Sequence, residues 1–230
     1  MAPSRRAETS QTAIQVPIAG QWLAGDLGMP PDPHGLVLFA HGSGSSRRSP
    51  RNQLVARTLE RRDLATLLID LLTPQEGAID ERTAEFRFDI PLLAARLVTI
   101  VEWLKRQEQT AALPIGLFGA STGGGAALIA AAERPREIAA VVSRGGRPDL
   151  AGAALPRVIA PTLLIVGGWD SAVIQMNRDA MSQMRAEVKL EIVPGASHLF
   201  EEPGALDRVT ALAGEWFTRH LQPAAAMRHG

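Results

Sequence analysis

The amino-acid sequence predicts an α/β protein with a mostly parallel sheet that helices cover on both faces. Several short segments are apolar at every position, as strands are when both of their faces are buried. Helical patterns separate most of these segments, which gives the strand–helix–strand order of a parallel sheet. No internal repeat or low-complexity linker divides the 230 residues, so a single domain is expected.

The first elements are a hairpin, a strand and a helix. Two short strand patterns flank Ala19-Gly20, a dipeptide that favours a tight turn. Residues 36–40 are all apolar and predict a buried strand that runs into a glycine–serine loop. Ser49 and Pro50 then supply an N-cap and a first helical position for a helix that extends to about Arg62.

The middle of the chain contains a second buried strand and an amphipathic helix. The strand covers residues 64–70, and an irregular polar stretch is expected from Leu71 to about Phe88. Asp89 is the expected cap of the next helix. One face of this helix is buried because its apolar residues recur at helical spacing, at Leu93, Leu97, Ile100, Val101 and Leu104.

The second half alternates strands and helices. A strand at 114–120 leads directly into an alanine-rich helix, and a last helix is expected from about Pro203 to Leu221. Residues 12–222 are expected to form the domain, between flexible tails at 1–11 and 223–230. Three further strands are predicted at 138–143, 161–167 and 188–195.

Composition excludes several classes of function. Lys plus Arg and Asp plus Glu number 24 each, so no net charge favours nucleic acid or an anionic membrane. The chain has no cysteine, which excludes disulfides and a thiol nucleophile. The N-terminal stretch lacks the apolar core of a signal peptide, and no apolar segment approaches the roughly 20 residues of a membrane span. A cytoplasmic location is therefore expected.

Ser121 lies between Gly119 and Gly123, where the strand becomes a helix. A sharp turn of this kind needs small neighbours, and it raises the serine hydroxyl above the edge of the sheet beside the first N–H groups of the helix. The pattern therefore predicts a nucleophilic serine. The alternative is that Ser121 only caps the helix while the glycines allow close packing against the sheet.

A nucleophilic serine requires a base and a group that orients that base. Asp170 and His198 each follow a buried strand, and they occur in that order after Ser121. The carboxyl ends of parallel strands share one edge of the sheet, so the three residues are expected to meet there. Asp149 is the rival acid, because it also follows a strand, although further along its loop.

The loop after the strand at 36–40 is the expected oxyanion site. The backbone N–H groups of Ser43 and Thr122 are candidates to hold the negative charge that develops during acyl transfer. His41 is interpreted as a structural hydrogen-bonding residue. The GSGSS segment lacks the lysine and the spacing of a phosphate-binding P-loop, so that interpretation is rejected.

These motifs resemble those of the α/β-hydrolase superfamily, and most closely its dienelactone-hydrolase-like branch. The matching segments are HGSGSS, GASTG, VGGWD and PGASHLF. The resemblance implies an eight-stranded sheet with an antiparallel second strand, the roles given above for the five site residues, and neither a metal nor a cofactor. Dienelactone hydrolases use cysteine as the nucleophile, so the serine here implies an esterase. Similar domains also occur fused to phosphoribosyltransferases, whose acidic and phosphate-loop motif is absent from this sequence.

The segment 144–160 is too short for a lid of two stable helices, so the site is expected to be open and to accept small soluble esters. Arg144 and Arg147 follow a strand on the catalytic side and are candidates to bind a substrate anion. The alternative for both is a salt bridge within the loop or a solvated position. Four aromatic residues could form an acyl-binding wall or belong to the core: Phe86, Phe88, Trp169 and Phe200.

The sequence thus predicts a serine hydrolase of carboxylic esters, with a small-molecule ester as its partner. One alternative is a non-catalytic module that binds a ligand or a protein. Another is an acyltransferase or perhydrolase that uses the same three residues with a different acceptor. A homodimer is compatible with the sequence, whereas nucleic acid and membranes are not expected partners.

Overall fold

A computed structural model describes residues 8–222. One eight-stranded sheet forms the centre of the fold, with the strand order β1-β2-β4-β3-β5-β6-β7-β8. Only β2 runs antiparallel to its neighbours, so the predicted architecture is confirmed. The strands are β1 (Ser10–Ile18), β2 (Gln21–Met29), β3 (Gly35–Ala40), β4 (Leu64–Ile69), β5 (Ile115–Ala120), β6 (Ile138–Arg144), β7 (Thr162–Gly167) and β8 (Val188–Val193).

Helices cover both faces of the sheet. Buried apolar side chains of α3 and α4 form one core cluster with the sheet, and those of α1 and α6 form a second cluster on the other face. The helices are α1 (Pro50–Glu60), α2 (Pro74–Thr83), α3 (Ile90–Leu104), α4 (Thr122–Glu133), α5 (Ser171–Gln183) and α6 (Ala205–His220). Among residues 8–222, no helix is both long enough and apolar enough to cross a membrane.

The predicted hairpin is confirmed. Strands β1 and β2 pair in register from Ser10↔Met29 to Ile18↔Gln21. Ala19 and Gly20 both have positive φ, at 44° and 77°, as a two-residue turn between twisted strands requires. β1 begins two residues before the predicted start of the domain. The rest of the predicted N-terminal tail, up to residue 7, and the whole tail at 223–230 lie outside the described residues.

The helix caps show how well local patterns predicted the boundaries. Ser49 accepts a hydrogen bond from the amide of Asn52, and Asp89 accepts one from the amide of Leu92, as expected for N-caps. The prediction of an irregular stretch from 71 to 88 was wrong, because it contains α2. A capping box between Thr73 and Glu76 and a proline at the first position stabilise this helix, although it has almost no apolar face.

The connection between β6 and β7 contains no helical hairpin. Its only regular structure is a 3₁₀ segment, Pro148–Arg157, which is kinked where Gly152 adopts a φ of 46°. The segment packs against α4 and α5 and leaves the carboxyl edge of the sheet without a two-helix lid. The candidate residues in the loops after β3, β5, β7 and β8 are partly exposed at this edge: Ser43, Ser121, Asp170 and His198.

Candidate active site

Ser121 occupies a strained turn between β5 and α4. Its φ of 50° and ψ of −122° are unfavourable for any residue with a side chain. Neighbouring backbone forces this geometry. A Cβ on Gly119 would lie 2.6 Å from the carbonyl oxygen of Gly123, and one on Gly123 would lie 2.3 Å from that of Ala40. Both glycines are thus required for close packing, as the sequence predicted.

The Ser121 hydroxyl is not a helix cap. It makes no capping hydrogen bond to α4. The backbone of Ser121 is fixed instead, because its N–H donates to the carbonyl of Arg144 (3.2 Å) and its carbonyl accepts from the N–H of Arg147 (3.0 Å). The turn therefore holds the backbone in place and leaves the hydroxyl available for another role, which contradicts the capping interpretation.

Asp170 and His198 meet at the same edge of the sheet. The imidazole Nδ1 of His198 lies 2.6 Å from Oδ2 of Asp170, across loops that follow β7 and β8. This contact places the Nδ1 proton toward the carboxylate and leaves Nε2 as the free basic nitrogen. A Cβ built on Gly145 would lie 3.5 Å from the imidazole, so the ring sits against the loop that follows β6.

The rival acid is engaged elsewhere. Asp149 forms a two-point ion pair with Arg147, with nitrogen–oxygen distances of 2.8 and 2.7 Å. This pair raises the pKa of the Arg147 guanidinium through its hydrogen bonds to Asp149. Arg147 therefore forms a salt bridge within its loop, which was the alternative to its predicted role in binding a substrate anion.

The loop that carries His198, residues 194–204, is held by side chains that the sequence did not single out. Glu202 accepts a hydrogen bond from the Ser197 amide (3.0 Å), and Glu201 pairs with Arg51 of α1 (3.0 Å). Hydrogen bonds from the Ser197 hydroxyl and amide lower the pKa of Glu202, which keeps its carboxylate ionised. Arg51 and Glu201 are 150 residues apart in sequence, so no local pattern indicates their pairing.

Phe200 belongs to the core and not to a substrate wall. It is 1% exposed and packs in the apolar cluster beneath α1 and α6, so its prediction as a substrate-binding residue was wrong. Its φ of 57° is unusual for an aromatic residue. The buried ring thus anchors the loop two residues after His198. Trp169, by contrast, is 70% exposed and adjoins Asp170, and Phe88 is also exposed.

The two proposed oxyanion donors lie on loops that contact each other. The Ser43 amide donates to the hydroxyl oxygen of Thr122 (3.0 Å), which ties the loop after β3 to the start of α4. His41 supports this loop. Its Nε2 accepts from the Leu71 amide (3.1 Å), so its Nδ1 carries the proton and donates to the carbonyl of Gly42 (3.0 Å). Burial lowers the pKa of His41, which favours this neutral form.

The loop after β3 also lines a cavity of about 810 Å³. Its lining does not include Ser121, Asp170 or His198. The cavity therefore lies next to the candidate catalytic residues, which it meets at Ser43. Arg87, at the wall of the cavity, is held by an ion pair with Asp80. Burial raises the pKa of Asp80, but the hydrogen bonds that it accepts from Arg87 and Phe86 outweigh this effect, so the pKa is lowered. The lining of the cavity includes Trp22, His41, Ser43, Arg47, Asp70 and Gly77.

Within residues 8–222 there is no cluster of three or more His, Asp or Glu side chains suited to a metal ion.

Residues 33–213 match the family described as "Alpha/beta hydrolase domain". Two curated relatives from Mycobacterium tuberculosis, strains CDC 1551 / Oshkosh and ATCC 25618 / H37Rv, carry the name "Putative phosphoribosyl transferase". Each is 53% identical over 219 residues. The match covers 95% of this chain but 47% of each relative, so the chain spans about half their length.

Solved structures show the same fold. Dienelactone hydrolase from Anabaena variabilis ATCC 29413 superposes with a TM-score of 0.93 at 58% identity, covering 94% of this chain and 100% of that one. Est1E from Butyrivibrio proteoclasticus superposes with a TM-score of 0.75 over 90% of this chain and 98% of its own, at 19% identity. The second likeness concerns the fold alone.

Proposed function

Because the chain belongs to the α/β-hydrolase family and to its dienelactone-hydrolase-like branch, we propose that it is a serine hydrolase of small carboxylic esters. The observation that carries the proposal is the combination of two features at one sheet edge. Ser121 sits in a strained turn with a hydroxyl that does not cap its helix, and His198 is hydrogen-bonded to Asp170. A purely structural serine has no need of the strain.

In the first half of the reaction, Oγ of Ser121 attacks the ester carbonyl while Nε2 of His198 takes its proton. Asp170 holds the Nδ1–H of His198 and stabilises the imidazolium that forms. The carbonyl oxygen becomes an oxyanion and accepts hydrogen bonds from the amides of Ser43 and Thr122. One such donor is typically worth about 10²- to 10³-fold in rate.

Collapse of this intermediate breaks the bond to the alcohol, which takes the proton from His198 and leaves. Water then attacks the acyl-enzyme, with His198 again removing a proton, and the acid departs as Ser121 regains its own. The substrate oxygen has to replace the Thr122 hydroxyl as the acceptor of the Ser43 amide. No step requires a metal or a cofactor.

Small substrates fit the surroundings of these residues. The absence of a helical hairpin between β6 and β7 leaves the edge open, and the exposed ring of Trp169 beside Asp170 offers an apolar surface to an acyl or alcohol group. The cavity beside Ser43 has the volume of a typical small-molecule site, about 300 to 1,000 Å³.

The name of the Mycobacterium relatives does not favour phosphoribosyl transfer by this chain. Those proteins are about twice as long as the matching segment, so the name describes a protein with a second half of its own. The sequence here lacks the acidic pair and phosphate loop of phosphoribosyltransferases. The part of the relatives that this chain matches is the hydrolase-like part.

A panel of p-nitrophenyl esters graded by acyl length tests the proposal. We expect hydrolysis of the short esters by the wild-type protein and a loss of at least about 10³-fold in Ser121→Ala, because the nucleophile is gone. Ser182→Ala, which removes an exposed hydroxyl on α5, is the matched control and should keep full activity. Equal rates in Ser121→Ala and the wild type would refute a role for Ser121.

A further inference from the structure

Arg144 is a buried cation for which the described part of the chain supplies no counter-ion. It is the last residue of β6 and is 8% exposed. Its Nε and Nη1 are buried and have no hydrogen-bond partner among the described residues. Its Nη2 makes a long contact of 3.4 Å to Oδ1 of Asn52, a neutral amide in the first turn of α1. Among residues 8–222, no carboxylate forms an ion pair with this guanidinium.

Other arginines drawn into the fold are neutralised by carboxylates. Arg96 has a similarly buried side chain, and it forms an ion pair with Glu76 at 2.6 Å. Arg87 pairs with Asp80 at 2.7 Å, and Arg47 is paired with Asp70. A charge taken out of water without a partner destabilises a protein strongly. The unpaired state of Arg144 is therefore an exception that needs a physical reason.

The surroundings of Arg144 concentrate positive charge. Burial, and then the nearby charge of Arg51, lower the pKa of Arg144 to about 10, so the side chain is still protonated at neutral pH. Arg51 lies in the first turn of α1, which contains no acidic residue and carries the positive end of the helix dipole. The only carboxylate that contacts Arg51 in the described part of the chain is the exposed Glu201.

This positive region adjoins the candidate catalytic residues. The carbonyl of Arg144 accepts the Ser121 N–H at 3.2 Å, and the next residue, Gly145, lies against the imidazole of His198. Glu201 belongs to the same loop as His198. A group bound to Arg144 and Arg51 would thus lie beside the strand end and the loop that carry the candidate catalytic residues.

We infer that Arg144, together with Arg51 and the first turn of α1, binds an anionic group, a carboxylate or a phosphate, that is part of the substrate ester. The Nε and Nη1 groups of the guanidinium have no hydrogen-bond partner among residues 8–222, and their charged N–H groups suit the oxygens of a carboxylate or a phosphate. Arg51 is the more exposed of the two, and the anion competes with Glu201 for it. That the anion belongs to a substrate rests on the proposed function, whereas anion binding itself does not.

Calorimetric titration of the full chain with inorganic phosphate and with succinate tests the site. We expect Arg144→Met to weaken anion binding about 10-fold or more, because charge-assisted hydrogen bonds are lost. Arg144→Lys should retain part of the affinity. Arg136→Met, at an exposed position before β6 on the opposite edge of the sheet, is the matched control and should leave the affinity unchanged.

A second variant keeps the test decisive if Arg144→Met does not fold. Glu201→Gln removes the exposed carboxylate that competes for Arg51, so we expect anion binding to tighten about two- to five-fold. Absence of binding by both anions, or binding that Arg144→Met and Glu201→Gln leave unchanged, would overturn the inference. Binding of phosphate alone would identify a phosphate-bearing ligand, and binding of succinate alone a carboxylate-bearing one.

Kinetics separate this inference from the proposed function. We compare phenyl acetate with 4-acetoxybenzoate and 4-acetoxyphenyl phosphate, which add a carboxylate or a phosphate to the same acetyl ester. The ratio of kcat/KM for an anionic ester to that for phenyl acetate should fall about 10-fold in Arg144→Met. An unchanged ratio in an active enzyme would overturn the inference alone. Lack of turnover of every ester, with Arg144-dependent anion binding intact, would overturn only the proposed function.

Discussion

The loops that carry Ser121 and His198 are fixed in different ways, although both lie at the carboxyl edge of one sheet. Residues 119–123, the Ser121 elbow, are held by backbone packing. Gly119 and Gly123 touch neighbouring main chain so closely that no side chain fits. The loop at 194–204, the His198 loop, is held by its own side chains: Phe200 in the core, Glu202 on Ser197, and Glu201 on Arg51 of α1.

This difference indicates which part of the candidate site has a fixed position and which part can be shifted by substitution. The elbow cannot move without breaking backbone contacts, so the position of Ser121 is set by the fold itself. Each anchor of the His198 loop can be removed separately, so the position of His198 can be altered in steps. Substitutions should therefore act in an all-or-none way at the elbow and in a graded way at the His198 loop.

The largest effect is expected for Gly123→Ala. The new methyl group would lie 2.3 Å from the carbonyl oxygen of Ala40, in backbone that cannot give way. We expect the free energy of unfolding, measured with urea, to fall by about 3 kcal/mol or more. Gly77→Ala is the matched control on α2, where a Cβ meets nothing within 4 Å. It should stabilise the protein by up to about 1 kcal/mol, since alanine favours a helix. Equal effects at the two positions would remove the packing argument for the elbow.

Phe200→Ala should have the next largest effect. The lost ring leaves a cavity in the core cluster beneath α1 and α6, and we expect a loss of about 3 kcal/mol in stability. Amide hydrogen exchange should increase most in the His198 loop, and kcat for a short ester should fall because the base is less well placed. A Phe200→Ala protein as stable as the wild type would show that the ring does not anchor this loop.

Glu202→Gln is expected to act more mildly. The neutral amide is a weaker acceptor for the Ser197 amide, so we expect kcat to fall about 10-fold or less while the protein stays folded. The lowered pKa of Glu202 means that its contribution to stability is complete above pH 4.5 and is lost as the pH falls through the lower folded-state value. Wild type and variant should therefore converge in stability in acid. Glu215→Gln, an exposed carboxylate on α6, should leave both properties unchanged.

The smallest expected effect concerns His41, which supports the loop after β3. Burial lowers its pKa below 6.5, so the unfolded chain binds a proton that the folded protein excludes. Stability should then decline as the pH falls below about 6.5, by at most about 1.4 kcal/mol per pH unit. His41→Asn should flatten this slope between pH 6.5 and 5 in urea unfolding. A slope that is the same in both proteins would assign the acid sensitivity to other groups.

Local patterns in the sequence predicted most of the fold and, in the candidate site, the turn that carries Ser121. Apolar strands, the Ala19-Gly20 turn and the caps at Ser49 and Asp89 depend on neighbouring residues, and the structure contains each of them. The glycines around Ser121 likewise signal a close backbone approach. Helix α2 was missed because a capping box holds it and it has little apolar periodicity.

The surroundings of Ser121 and His198 depend on contacts that the sequence pattern does not predict. Phe200 follows His198 by two residues and resembles a pocket residue in sequence, yet its ring turns into the core. Arg144 and Arg147 look equivalent after β6, but Asp149 neutralises only Arg147, while Arg144 points beside α1. The Arg51–Glu201 pair, in contrast, joins residues 150 positions apart, so it is a property of the folded chain and cannot be obtained from spacing alone.

Labelling with a fluorophosphonate tests the central claim most directly. We expect one covalent adduct in the wild-type protein, located by peptide mass spectrometry on Ser121, because only an activated serine reacts with this probe. Labelling should disappear in Ser121→Ala and should slow by about 10⁴-fold in Asp170→Asn, which loses the group that orients His198. An adduct on another residue, or equally fast labelling of Asp170→Asn and the wild type, would contradict the account.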